Sequence, residues 1–476
     1  MNGVVLALTL ASLASPMRFA LVVGNNEPLE RSQRKLRFAD DDAARFYELL
    51  GAASNHAHLL TTFDAESQAT FPELIRTARR PSRLELEAAM ADLRARIQVA
   101  KSEGHRTELY FYYAGHGGLV NDEGVVAFED GALTRSEFRE RVLLSSGADR
   151  THVFVDACKS YFLVSGRGPG GSRRAVPGGY AGPDVTVGVG YVLSTSNDVE
   201  SHEWARYGGG IVSHELRSAL LGAADGDGNG AIDYDEVGAF MAVANEGIPV
   251  AKYRPRIFVQ PPSDDRRAIV LDPGQIFQRA LEVDEEIGGR VTLIDHRGVR
   301  YADANKSVGQ SMRLALVQAE RYEARWSGGV TPVDSRRWGR QQLSSLPVSP
   351  PSALAERSEI HRAFSHLFAM PFDRDVVRGF RLSRDIAVEM ERAENETRVP
   401  RWVGLTTLGV GVAAVAGAVA LSSASAAASH ASRTAPQIER QGHADRAATL
   451  GTGAVVGFVA GGLGIGTGIV LVGISE

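Results

Sequence analysis

A chain of 476 residues is too long for one ordinary domain, so two or three folded units are expected. Its net charge of −5, with 23% charged and 44% hydrophobic residues, fits a globular protein with an apolar excess. No basic tract is present, which argues against nucleic acid as a partner, and the single cysteine, Cys158, excludes an internal disulfide. Composition gives no indication of the oligomeric state.

Residues 1–16 have the pattern of a signal peptide. An apolar stretch covers residues 4–13, and Ser12 and Ala14 supply the small side chains that a signal peptidase needs, although the usual basic residue is missing. Export would place the following domain outside the cytoplasm. Translation from Met17 would instead leave that domain in the cytoplasm.

Strands and helices are predicted to alternate between residues 17 and 245. Runs of β-branched and aromatic residues predict strands, and apolar residues at helical spacing predict helices. The strands include MRFALVVGNNE, TELYFYYAGHG and THVFVDACKS, and the helices include residues 83–100 and 136–144. This alternation predicts an α/β fold with a mostly parallel sheet flanked by helices, whose ligands bind at the carboxyl ends of the strands. Asn25, His116 and Cys158 fall at such ends.

His116 and Cys158 are the candidate catalytic pair. A thiol beside an imidazole can lose its proton and attack a carbonyl carbon, and the protonated ring can then donate to the leaving amine. The main-chain N–H groups of Gly117 and Cys158 are the expected donors to the oxyanion. From spacing alone, a chance arrangement of the two side chains remains equally compatible.

The segments YYAGHG and VFVDACKS together resemble the two signatures of the caspase and metacaspase superfamily of cysteine peptidases, including its bacterial members. The segments ALVVGNN and DDDAA are also similar. The resemblance covers about residues 18–245 and implies a caspase-like fold, protein or peptide substrates, His116 as general base and Cys158 as nucleophile. The chain departs from the family after the cysteine: Lys159 and Ser160 are followed by Tyr161, a bulky residue that would restrict substrate access to the nucleophile.

The same resemblance implies a specificity pocket. Asp156 and Asp42 match the two carboxylates that line the metacaspase pocket for a basic P1 side chain, and two converging anions would select Arg or Lys. The alternative role for Asp42 is a helix cap. Cleavage after Arg would make three residues in the Gly/Pro-rich loop after Cys158 candidate self-processing sites: Arg167, Arg173 and Arg174. A merely solvated loop is the alternative.

Residues 225–236, DGDGNGAIDYDE, have the ligand pattern of an EF-hand calcium loop between two predicted helices. The oxygen ligands stand at the expected positions: Asp225, Asp227, Asn229, the Ala231 carbonyl, Asp233 and Glu236. Ca²⁺ is therefore the expected bound ion. Only one such loop is visible, so weak affinity and a structural role are expected.

Beyond residue 262 the pattern changes to short segments with period-two alternation. These segments predict a small β-sandwich-like domain over residues 263–345, after a peptidase domain at 17–262. A Ser/Pro-rich break then leads into a charged, amphipathic helical linker over residues 346–400.

The last 76 residues, 401–476, contain two long apolar windows. Residues 402–421 and 450–474 are free of charge and long enough to span a bilayer, which predicts a C-terminal transmembrane helical hairpin. Glycines at four-residue spacing in the second window would allow close helix packing. A buried hairpin in a soluble protein is the alternative, and the arginines around the windows leave the orientation open.

These features together predict a membrane-anchored, calcium-binding, caspase-like cysteine endopeptidase that prefers Arg or Lys at P1. A second hypothesis is a catalytically weak caspase-fold protein that binds a partner under calcium control. In a third, the membrane hairpin is the effector that the peptidase domain regulates.

Overall fold

The computed structural model of the chain describes residues 15–30, 33–121, 123–164, 186–194, 203–204, 209–248, 254–255, 257–317, 321–350 and 366–384. The signal segment up to residue 14, the three loop arginines and both predicted membrane helices lie outside these ranges. Within them, no helix combines the length and the apolarity that a membrane crossing needs.

The strands of the described residues are β1 (Met17–Asn25), β2 (His56–Thr61), β3 (Thr107–Gly115), β4 (Gly117–Val120), β5 (Glu123–Phe128), β6 (Gly131–Thr134), β7 (Arg150–Asp156), β8 (Val189–Ser194), β9 (Glu203–Trp204), β10 (Gly209–Gly210), β11 (Ile232–Asp233), β12 (Ile257–Gln260), β13 (Ile269–Leu271), β14 (Arg279–Val283), β15 (Gly289–Asp295), β16 (Arg300–Lys306), β17 (Met312–Ala315), β18 (Arg321–Trp326), β19 (Gly329–Asp334) and β20 (Gly339–Gln342). The α-helices are α1 (Ala39–Ala53), α2 (Ala65–Thr70), α3 (Arg83–Ser102), α4 (Arg135–Phe138), α5 (Ile211–Ser218), α6 (Tyr234–Glu246) and α7 (Pro273–Ile276). Wider π-helical turns continue α4 over Arg139–Leu144 and α5 over Ala219–Ala223.

A six-stranded sheet in the order β12-β8-β7-β3-β1-β2 forms the centre of the first unit. All neighbours run parallel except β12, which pairs antiparallel with β8 at the edge. The predicted α/β fold with a mostly parallel sheet is therefore confirmed.

The central strands are apolar along their whole length because helices cover both faces of the sheet. Leu109 and Phe111 of β3 pack on the side of α3, whereas Tyr110 and Tyr112 pack on the side of α1, α5 and α6. All four side chains are at most 1% exposed. Burial on both faces fixes the register of the strands and thereby the positions of the residues that follow them.

The start of α1 is tied to the end of β1 by Asn26. Its Oδ1 accepts a hydrogen bond from the Ala39 N–H at 2.8 Å, and its Nδ2 donates to Asp40 at 2.7 Å. A donor at the first turn of a helix would otherwise lack a partner. This contact fixes the acidic first turn of α1, which contains Asp42, beside the carboxyl ends of the strands.

The β-rich region predicted after residue 262 consists of two sheets, ordered β17-β14-β20 and β16-β15-β18-β19. We call residues 279–342 the β unit. Its buried residues, among them Leu281, Leu293 and Leu314, continue the core that α1, α5 and α6 form with the central sheet. Strand β13, which follows the predicted boundary at residue 262, pairs with β11 of the first unit.

Part of the predicted linker is an ordered helix that returns to the first unit. Residues 374–384 are helical. Val377 packs on Gly226, and the Phe380 ring lies where a Cβ atom on Gly238 of α6 would come within 2.7 Å of it. This segment, which we call the C-terminal helix, therefore lies against the predicted calcium loop and α6.

Candidate active site

The register between β3 and β7 brings His116 and Cys158 close together at the carboxyl ends of these neighbouring strands. Ala114 pairs with Asp156, so each candidate catalytic residue lies two positions beyond a paired residue. Gly117 lies directly against Cys158, because a Cβ atom on Gly117 would collide with the Cys158 carbonyl oxygen. Both residues predicted to supply oxyanion donors are thus neighbours in space, and their role stays a prediction.

His116 is half-buried, and its ring orientation is set by the loop before α1. Its Nε2 lies 2.9 Å from the Arg34 carbonyl oxygen. Because a carbonyl only accepts, Nε2 carries the hydrogen, which leaves Nδ1 of the neutral ring as the atom that can take a proton. Burial lowers the pKa of His116 from its ordinary value of 6.5, and the bond to Arg34 opposes this shift in part. The ring is therefore a neutral base at pH 7.

The chain turns sharply directly after Cys158. The thiol is partly buried, and Lys159 has φ 57°, in the left-handed region that side chains other than glycine rarely adopt. A 3₁₀ turn over Ser160–Leu163 follows, and the Ser160 hydroxyl donates to the Ser194 carbonyl of β8. Strained backbone conformations occur often at functional sites, and this one lies next to the candidate nucleophile.

The Tyr161 side chain, expected to restrict access to the nucleophile, is partly buried and packs against the core. Its ring meets Phe258 edge-on, with centroids 5.3 Å apart, among the apolar residues on the α3 side of the sheet. Asp42 projects from α1, on the opposite side. The bulk of Tyr161 is therefore directed away from the predicted specificity pocket.

Asp42 and Asp156 come together around Gly210 of β10. A Cβ atom on Gly210 would lie 2.7 Å from Asp156 Oδ2 and 3.0 Å from Asp42 Oδ2. The Gly210 N–H donates to Asp42 at 2.7 Å. Gly209 also lies against Asp42, so the main chain of β10 covers the two carboxylates. Glycine is needed here because any side chain would displace an acidic group.

Asp42 is buried, and the guanidinium groups of Arg45 and Arg217 both lower its pKa. Burial raises its pKa well above the usual range, and the nearby Asp156 carboxylate adds to this shift. The Arg45 guanidinium, 3.5 Å from Asp42 Oδ1, and the Gly210 N–H oppose it. Binding a substrate cation there would favour the ionised carboxylate.

Sequence reasoning missed the residues that hold Asp156. Ser213 of α5 donates to Asp156 Oδ2 from its N–H at 3.1 Å and from its hydroxyl at 2.6 Å. The Tyr112 hydroxyl lies 2.7 Å from the Ser213 hydroxyl. No local pattern marks Ser213, because its partners lie on distant strands.

Hydrogen bonds within the chain hold the predicted calcium loop in a tight turn. The Gly230 N–H donates to Asp225 Oδ2 at 2.9 Å, and Gly230 has φ +87°. One carboxylate oxygen from each of Asp225, Asp227 and Glu236 lies within 4.8 Å of the others. Burial and the neighbouring Asp233, Asp227 and Asp225 raise the pKa of Glu236 to about 8. These oxygen donors fit a hard cation such as Ca²⁺.

The remaining predicted ligands of this loop have other partners. Asn229 accepts from the Ala231 N–H at 2.7 Å, and Asp233 caps α6 by accepting from the Glu236 N–H at 2.9 Å. Strand β11, within the loop, pairs antiparallel with β13. The loop is therefore supported by strand pairing from within the chain.

The C-terminal helix supplies cations to the same loop. Arg381 Nη2 donates to Asp233 at 2.6 Å, and Arg381 Nη1 lies 3.7 Å from Asp227. Arg384 pairs with the buried Asp235. These contacts could not be predicted from the sequence, since the arginines are distant in the chain and belong to a charged helix without a distinctive pattern.

Comparison with known proteins gives one family match. The family model described as Caspase domain matches residues 17–233. A solved structure of pro-sf-caspase-1 is 12% identical, with a TM-score of 0.29, and the alignment covers 51% of this chain and 86% of that chain. No curated protein matches the chain significantly. Residues 17–233 match the caspase domain of cysteine-type peptidases, and their α/β fold is caspase-like.

Proposed function

We propose that the protein is a cysteine endopeptidase in which Cys158 is the nucleophile and His116 the general base. The observation that carries this proposal is the β3/β7 register, with both residues two positions beyond the pair Ala114 and Asp156. The contact between Gly117 and Cys158 supports it, because main-chain N–H groups of two adjacent loops can converge on an oxyanion there.

The reaction follows from these positions. Nδ1 of His116 takes the Cys158 proton, and the thiolate attacks the scissile carbonyl carbon to form a C–S bond. The imidazolium then donates its proton to the leaving amine as the C–N bond breaks. Water, deprotonated by the same ring, hydrolyses the thioester and restores the thiol.

The preference for Arg or Lys at P1 rests on Asp42 and Asp156. The two carboxylates both lie beside Gly210, and together they would pair with one guanidinium or ammonium group. In this arrangement β10 has to move aside before a side chain enters. The position of the β10 main chain over the two carboxylates also favours the alternative function, a caspase-fold binding module with weak catalysis.

The two functions are separated by turnover of fluorogenic peptides with Arg, Lys or Asp at P1. The full chain in detergent is compared with Cys158→Ala, His116→Ala and the control His56→Ala, which changes an exposed histidine. A peptidase loses roughly 10³-fold or more in kcat/KM with the first two changes and nothing with the third. Absence of turnover, with a Cys158 that alkylates no faster than a free thiol, would support the binding module.

We also propose that the loop 225–236 binds Ca²⁺. Support comes from the three convergent carboxylates Asp225, Asp227 and Glu236 and from the positive φ at Gly230. Isothermal titration with CaCl₂ and with MgCl₂ tests the site. Glu236→Gln removes the charge of the ligand at the end of the loop and should abolish the heat of calcium binding. A titration curve unchanged by this substitution would exclude the site.

Membrane anchorage by residues 402–421 and 450–474 is a proposal that rests on their apolar, uncharged sequence. Sedimentation with membranes after carbonate washing tests it in the full chain, and protease protection of the loop between the windows gives the orientation. Leakage of dye from vesicles containing the chain would favour the hairpin as effector.

Self-processing at Arg167, Arg173 or Arg174 is a further proposal. The Arg preference at P1 and the Gly/Pro-rich composition of this segment support it. N-terminal sequencing of fragments after incubation tests it, with Cys158→Ala as the variant that must stay intact.

A further inference from the structure

Helix α5 contacts the specificity pocket on one side and the β unit on the other. On the pocket side, Ser213 gives both its main-chain N–H and its hydroxyl to Asp156 Oδ2, at 3.1 and 2.6 Å. Ser213 is only 2% exposed, so water does not compete for these bonds. Two donors on one carboxylate oxygen fix its direction.

The hydroxyl protons around Ser213 have only one consistent arrangement. Ser213 has a single hydroxyl hydrogen, which it gives to Asp156, an acceptor. The Tyr112 hydroxyl, 2.7 Å away, must therefore donate to Ser213 Oγ. Tyr112 is itself stacked on Phe46 of α1, with ring centroids 3.8 Å apart. Helix α5 carries the Ser213 hydroxyl, and helix α1 is linked to it through the Tyr112 side chain.

On the other side, the residue after Ser213 binds the β unit. His214 Nε2 lies 2.9 Å from Asp303 Oδ2 of β16, and His214 Nδ1 lies 3.1 Å from Arg217 Nη2. Because a guanidinium only donates, Nδ1 accepts and Nε2–H donates to Asp303. Burial lowers the pKa of His214 to about 4, which agrees with this neutral ring.

Further bonds fix α5 along β16. Arg217 donates to the carbonyl oxygens of Arg300 and Tyr301 at 2.7 and 3.1 Å, and the Asp303 N–H donates to the Ser218 hydroxyl at 3.0 Å. Burial alone would raise the pKa of Asp303, but the guanidinium groups of Arg300 and Arg290 hold it well below its usual range. Asp303 is therefore an ionised, fully paired anchor for the helix.

We propose that Ser213 is the positioning residue that aims Asp156 into the P1 pocket, and that Asp303 of the β unit holds α5 in the place this requires. The β unit then determines selectivity for a basic P1 side chain without touching substrate. This inference rests on the proposed peptidase function.

The test compares kcat/KM for matched peptides with Arg or citrulline at P1. Citrulline has nearly the shape of Arg without the charge, so the ratio of the two values reports the acidic pocket, and general damage cancels. Ser213→Ala should lower this ratio roughly tenfold. Ser213→Thr, which keeps a hydroxyl, should retain it. Ser146→Ala, a buried serine bonded only to its own loop, is the matched control.

Asp303→Asn should lower the ratio in the same direction. Combined with Ser213→Ala it should add little, because both changes act on one chain of contacts. A Ser213→Ala protein that cleaves Arg peptides with the wild-type ratio overturns the inference and leaves the peptidase intact. An equal fall for both peptides also overturns it. A wild-type protein that cleaves only after Asp keeps the peptidase but overturns the basic P1 preference and this inference with it. A wild-type protein that cleaves no peptide with Arg, Lys or Asp at P1 overturns the proposed function itself.

Discussion

Gly117 and Cys158, which follow two neighbouring strands, are in such close contact that a side chain on Gly117 would collide with the Cys158 carbonyl oxygen. The contact joins the loop that carries His116 to the loop that carries the thiol. The relative position of the two candidate catalytic groups therefore depends on a residue without a side chain.

Replacing Gly117 by Ala should displace the cysteine loop. The added methyl group meets main-chain atoms, which cannot rotate away, so we expect a loss of about 1–3 kcal/mol in stability and a large fall in kcat. Gly379→Ala is the control, because nothing lies within 4 Å of the Cβ position in the C-terminal helix. Thermal unfolding and turnover measure the two effects, and full activity of Gly117→Ala would contradict the close contact.

The acid limb of the pH–rate profile should lie below pH 6.5. In the proposed mechanism His116 acts only as a neutral base. Burial lowers its pKa from 6.5, so kcat/KM should stay level near neutrality and fall as the pH drops through the lowered value. The citrulline peptide is the substrate of choice, because ionisation of Asp42, whose pKa burial raises, would add a second limb with Arg peptides. A half-maximal rate at or above pH 6.5 would contradict this assignment.

Asp42→Asn and Asp156→Asn should each reduce kcat/KM for Arg and Lys peptides by roughly 10²-fold. Each change leaves a single carboxylate to pair with the substrate cation, whereas the wild-type protein has two. Turnover of the citrulline peptide should change far less. Asp64→Asn serves as the control, since this residue caps α2 away from β10. Equal losses for charged and neutral peptides would show that these carboxylates support the fold and do not select the substrate.

Arg381→Gln should strengthen calcium binding roughly fivefold. The guanidinium pairs with Asp233 and lies 3.7 Å from Asp227, so it repels a second cation at the same loop. Arg378→Gln, on the same helix but paired only with the exposed Asp375 at 3.4 Å, should leave the affinity unchanged. Calcium titration of the three proteins decides the matter, and weaker binding by Arg381→Gln would mean that the helix supports the loop.

Some parts of this protein could be predicted from the sequence because short, continuous segments carry their pattern. The alternation of strands and helices predicted the central sheet because each element has its own periodicity of apolar residues. Helix 83–100 was predicted almost to its observed bounds, Arg83–Ser102, because its apolar residues recur at helical spacing. The loop 225–236 could be predicted as a calcium site because an EF-hand takes all its ligands from one short segment, and it stays a prediction.

The sequence by itself therefore determined the α/β class, the two strands whose ends are followed by His116 and Cys158, and the pattern of ligand residues in the predicted calcium loop. Only the tertiary structure decided that Tyr161 packs against Phe258, that Asp42 and Asp156 meet beside Gly210, and that Ser213 and Arg381 contact the two candidate sites. The physical reason is separation along the chain. Strand register and helix packing create these contacts between distant segments, and no local periodicity encodes them.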